Sequence, residues 1–157
     1  MPITDKLYRL GHSAQRLNAG SDRLTELIAR IDGALALHMI GLEYVHPTPL
    51  REVVHFDAQG KRVIELAFLA YLKVEGAFHL AIKTVKILES KLQVASEAPG
   101  TVMALVQAPR VLRHQAVDAL PDLVAGLAAV VDEVVSEMER RCAVAEALVQ
   151  HLEALGQ

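Results

Sequence analysis

A histidine placed close to a carboxylate is raw material for a zinc or iron site. Two such pairs in this chain are Glu43 with His46 and Glu75 with His79. His12, His38, His55, His114 and His151 complete a set of seven histidines. If the segment 61–96 were helical, Glu75 and His79 would stand one turn apart, a spacing that suits a shared ion. If it is extended, His79 shares a sheet face with Ile64, while His55 pairs with Val63 on the other face. Those two histidines then cannot meet on one metal within a subunit. Neither arrangement names a third ligand, so no cofactor is predicted, and His46, Glu43, Glu75 and His79 stand as the candidate metal residues.

Glu65 has the chemistry of a general base, but a hairpin register that sets Lys86 opposite makes it half of an ion pair. The chain contains no glycine-rich phosphate loop, nucleophile elbow, Cys-x-x-Cys pair or His-Glu-x-x-His helix, so no catalytic residue is assigned. Lys73, Lys83, Lys86 and Lys91 form the most basic stretch, which reads as a solvated sheet edge where lysine deters strand addition. Cys142 is the only cysteine. It cannot form an internal disulfide, and beside Arg140 and Arg141 it reads as a packed thiol rather than a reactive one.

The composition limits what these residues can serve. A chain of 157 residues that is 52% hydrophobic and 22% charged folds around a core, and its length fits one domain, 1–157. A net charge of −3, with 4% aromatic residues and no tryptophan, argues against nucleic acid as a partner. The amino terminus lacks a secretory apolar core. The longest uncharged apolar stretches, Gly33 to Leu42 and Leu123 to Val131, are too short for the roughly 20 residues of a membrane span. A soluble, cytoplasmic protein is expected.

Three segments position the candidates. In 1–40, Leu7, Leu10, Ala14, Leu17, Ser21, Leu24, Ile28, Ile31, Leu35 and His38 alternate three and four residues apart, the spacing of a coiled-coil seam. Thr4 is the expected N-cap, and Ala19-Gly20-Ser21 the expected break between two helices. In 101–157 the same pattern runs from Val117 through Leu127, Val134, Met138 and Leu148 to Leu155. Asp118 is the expected cap of that helix, with Pro121 in its first turn. Ser96 to Gly100 is expected to be a loop, followed by a short helix from Thr101 to Gln107. The intervening region, 41–95, reads as β-hairpins. His46-Pro47-Thr48-Pro49 excludes helix, Asp57 to Lys61 reads as a turn, and Val63 to Val74 pairs with Ala77 to Leu88 across Glu75-Gly76. Read as a single helix, this region would follow a three-four spacing from Ile64 to Leu92 and give an all-α bundle.

The fold class is therefore α+β, with long amphipathic helices flanking a small antiparallel sheet. In order of elements it is similar to the helix-hairpin-helix plan of prefoldin subunits, which implies paired terminal helices and hairpins that assemble between chains. Two readings of the helices compete: an intramolecular antiparallel pair, and a coiled coil or bundle between subunits. Both sheet faces are apolar near the second hairpin tip, and an oligomer interface is expected at Leu69, Tyr71, Phe78, Leu80, Leu127, Val134 and Met138. The expected function is that of a non-enzymatic homo-oligomeric interaction or scaffold protein with a protein partner. The alternative is a small-ligand or metal-binding protein, as a binder or as an enzyme, that uses the mid-chain histidines and glutamates.

Overall fold

The computed structural model describes residues 2–89 and 95–157. Two helices flank, in sequence, an antiparallel sheet of five strands. Helix α1 spans Ile3–Leu37. Strands follow at Tyr44–Val45 (β1), Arg51–Phe56 (β2), Arg62–Val74 (β3), Ala77–Glu89 (β4) and Ala95–Ala104 (β5). A 3-10 turn, Leu105–Gln107, leads to helix α2, Arg110–Leu155.

The central hairpin has the register that its side chains imply. Glu65 lies opposite Lys86, Ile64 opposite Ile87 and Leu69 opposite Ile82. Both turn residues, Glu75 and Gly76, take positive φ (50° and 91°), as the tight turns that match strand twist require. At the other end of β3, Asp57 accepts the amides of Gln59 and Lys61, each at 2.9 Å, so the turn is built by one side chain. Strands β1 and β2 both pair with β3. His46 N–H donates to Leu69 O at 2.9 Å and Leu50 N–H to Ala67 O at 2.7 Å. Pro47 and Pro49, without N–H groups, fall in the gap between these bonds, so the two strands form one interrupted edge.

Strand β5 corrects the expectation of a loop and short helix at 96–107. Its residues pair with β4 from Glu89↔Ala95 to Ala81↔Ala104, with an irregularity between Thr84 and Lys86. Thr84 pairs with Thr101 and Lys86 with Ala98, so Pro99 and Gly100 together face Val85 alone, which is a bulge. A Cβ at Gly100 would collide with the Thr84 carbonyl, so only glycine fits. Because β5 covers it, β4 is an interior strand, and the reading of its lysines as a sheet edge is corrected as well. Lys91 and Leu92 lie outside the described residues.

Both helices run further than expected. Helix α1 is unbroken across Ala19-Gly20-Ser21, and Pro2 rather than Thr4 occupies its N-cap. Helix α2 starts at Arg110 after Pro109, so Pro121 lies within the helix and Asp118 does not cap it.

The two helices pack on the same face of the sheet. Ile28 from α1 and Leu112, Ala116, Leu120, Leu123 and Leu127 from α2 join Ala67, Leu69, Tyr71, Leu80 and Ile82 in one core. Their contacts fix their relative direction. Asn18 bonds Arg110 and Ser21 bonds His114. Leu24 and Ile28 line a groove with Val117 and Leu120, and Leu35 lines another with Leu127 and Val131. Numbering rises together on both helices, so they lie parallel, which corrects the antiparallel pairing. The sheet between them makes this direction, since the chain returns to the start of α1 before α2 begins.

Parallel packing leaves each helix overhanging at opposite ends. Every described residue of α1 up to Gly20 is exposed, and so is every residue of α2 from Val135 onward. The α2 overhang alone is about 30 Å long.

Candidate functional site

Of the four candidate metal residues only His79 lies on a strand, β4, and the other three fall in the segments that join the strands. His46 sits in the β1–β2 interruption, where its Nδ1 accepts the Thr48 amide at 3.1 Å. It shapes the edge strand. Glu43 precedes β1, and Glu75 occupies the hairpin turn with its side chain exposed. The one-turn relation between Glu75 and His79 required a helix, and β3 and β4 replace it. Among the described residues, no three histidine, cysteine, aspartate or glutamate side chains converge as a metal site would need.

His79 instead meets Asp32, 47 positions earlier on α1, with Nδ1 at 2.7 Å from Oδ2. The other carboxylate oxygen of Asp32 accepts the Leu80 amide at 2.7 Å. This N–H points off the edge of β4 beyond the end of its pairing with β5 at Ala81. Asp32 therefore supplies, from a helix, the acceptor that a missing strand would have given. Tyr71 lies in the same region with its ring stacked on Phe78 at 5.9 Å. Burial, with a further contribution from the Asp32 charge, raises its phenol above the ordinary tyrosine value of 10.0. Asp32 was missed in the sequence because its partner is far along the chain. Its signal was its place between Ile28 and Leu35, on the apolar face of α1, where a carboxylate needs a partner.

The remaining polar pairs support the frame. Glu65 Oε1 lies 3.4 Å from Lys86 Nζ and 3.3 Å from His55 Nε2, so the glutamate expected to pair with Lys86 bridges three strands. Ser21, the polar break in the α1 seam, is buried and meets His114 Nε2 at 3.1 Å. Arg141, the break in the α2 seam, lies 3.3 Å from Glu137 on the helix surface. Cys142 is exposed on the α2 overhang, where every residue from Val135 onward is exposed among the described residues. The packed placement is corrected.

The surfaces left to a partner are apolar. Leu69, Tyr71, Leu80 and Leu127, expected at an oligomer interface, are covered by the chain's own helices and sheet. Phe78 is half-buried against the same core. Val134 is half-buried and Met138 exposed. Along the α2 overhang, Val135, Met138, Val144, Leu148, Val149, Leu152 and Leu155 are all exposed, Leu148 by 60%. On α1, Ile3, Leu7, Leu10 and Leu17 are exposed in the same way. The second sheet face forms a separate cluster of Ala70, Leu72 and Ala81 with Val45 and Val74, to which no helix residue contributes. Val54 and Phe56 extend this face and are exposed. An open groove of about 480 Å³ between the helices is lined by Leu24, Leu27, Ile28, Ile31, Ala34, Val117 and Leu120, with Arg30 as its charged member. Such a lining accepts apolar side chains and offers no group for proton transfer or nucleophilic attack.

No helix among the described residues is long and apolar enough to cross a membrane. Comparison with protein families, with curated proteins and with solved structures finds no match.

Proposed function

We propose that this protein is a non-enzymatic, homo-oligomeric interaction or scaffold protein, assembled through helical surfaces that its own fold leaves uncovered. The observation that carries this reading is the α2 overhang, in which a regular apolar seam runs through residues that are all exposed. A lone helix of that length gains little from its own hydrogen bonds in water, and its stability comes from burying an apolar stripe. Burying a leucine or valine side chain there contributes about 1.5–3 kcal/mol. Val54 and Phe56, exposed on the sheet face opposite the helices, add a second apolar patch.

Light scattering on the intact, untagged protein during size-exclusion chromatography tests this reading. A discrete species of at least twice 17.1 kDa is expected at micromolar concentration. A mass of 17.1 kDa at that concentration would refute it.

A further inference from the structure

We infer that the α2 overhang of one copy is covered by the α1 overhang of a second copy, and that two such contacts close a two-fold dimer. This inference rests on the self-association proposed above and names the surfaces that make it. Because α1 and α2 lie parallel, the α1 overhang is at one end of the body and the α2 overhang at the other. A two-fold operation across the helix axes reverses the second copy and sets its α2 overhang beside the first copy's α1 overhang, antiparallel. The same operation makes the reciprocal contact at the far end. Nothing is left over to propagate, as a closed symmetric assembly requires.

Charge selects this pairing over one between two α2 overhangs. From Ile3 to Leu17, α1 carries Lys6, Arg9 and Arg16 against Asp5. From Val135 to Leu155, α2 carries Glu137, Glu139, Glu146 and Glu153 against two arginines. Two α2 overhangs side by side would repel, whereas α1 against α2 joins opposite fields. Size agrees. An α1 overhang of about 27 Å and about 10 Å across, buried twice with its partner, covers on the order of 1,000 Å², the scale at which a specific dimer holds.

Charge-reversed variants test the pairing. Lys6→Glu/Arg16→Glu changes exposed positions on α1 only, and Glu139→Lys/Glu146→Lys changes exposed positions on α2 only. Each variant alone is expected to raise the dimer dissociation constant at least tenfold, read by light scattering over a dilution series, with unchanged circular dichroism. Mixed one to one, the two restore a dimer of wild-type affinity, because both contacts then join opposite charges. Wild-type protein that is monomeric refutes both the proposed function and this pairing. Wild-type dimer with an α1 variant that still dimerises normally refutes the pairing alone, as does a mixture that fails to recover. A ladder of growing species in place of a dimer refutes the two-fold closure.

Discussion

The two halves of α2 carry the same seam and have opposite fates. Leu120 and Leu127 in the first half are nearly sealed against β3, β4 and α1, while Leu148 and Leu152 in the second half stand in the open. Helix α1 repeats the contrast in reverse, exposed through Gly20 and anchored from Ser21 to Leu35. Apolar periodicity therefore declares that a face needs cover, and tertiary structure decides whether the same chain provides it.

Charged substitutions separate the halves most sharply. Leu127→Asp buries an unpaired carboxylate in the core, at a cost of about 3–5 kcal/mol. Urea denaturation is expected to show that loss in the body itself. Leu148→Asp is expected to leave the body's near-native unfolding signal intact, yet to abolish assembly in light scattering. If both variants lose folding equally, the body and the overhang are not distinct.

Glycines give a second, smaller contrast. A Cβ at Gly126 would fall within the Tyr44 ring, so α2 approaches β1 this closely only without a side chain. Gly126→Ala is expected to destabilise by about 1–3 kcal/mol through overpacking. Gly11, on the α1 overhang, has nothing within 4 Å of such a Cβ. Gly11→Ala is expected to raise stability by up to about 1 kcal/mol from helix propensity. Thermal unfolding of the two variants reads opposite signs.

The Asp32 cap lies at the boundary of the anchored half. Asp32→Ala leaves the Leu80 amide unpaired in a part-buried place, for an expected cost of about 1–3 kcal/mol in chemical denaturation. Tyr71 adds the smallest effect, visible only in alkali. Its folded pKa is raised above the unfolded value of 10.0, so the folded state holds the phenol proton more tightly. Stability is unaffected well below pH 10 and falls as pH rises through and beyond it. Tyr71→Phe is expected to remove that component of the alkaline decline.

The sequence made the hairpin legible because each of its signals was local. The Glu75-Gly76 turn, the alternation of β3 and β4 and the Glu65–Lys86 pairing all depend on residues that are neighbours in the chain or across one turn. Strand β5 was hidden because Pro99 and Gly100 mark a loop, and here they mark a bulge on an edge strand, where a missing N–H is harmless. Helix direction was hidden because a three-four seam reads the same in parallel and antiparallel pairs. The Asp32–His79 contact joins positions 47 apart, and only the misplaced charge on the apolar face of α1 hinted at it. The Glu75–His79 spacing brings side chains together only on a helix, whereas an extended strand sets residues four apart about 13 Å from each other.

Amide hydrogen exchange along α2, measured at high and at very low protein concentration, tests the central claim most directly. The amides around Leu120 to Leu127 are expected to stay protected at both concentrations. Those from Val135 to Leu155 are expected to be protected when concentrated and to exchange rapidly on dilution, as their cover dissociates. Equal exchange in the second half at both concentrations, whether fast or slow, would contradict a helix stabilised by a second copy of the chain.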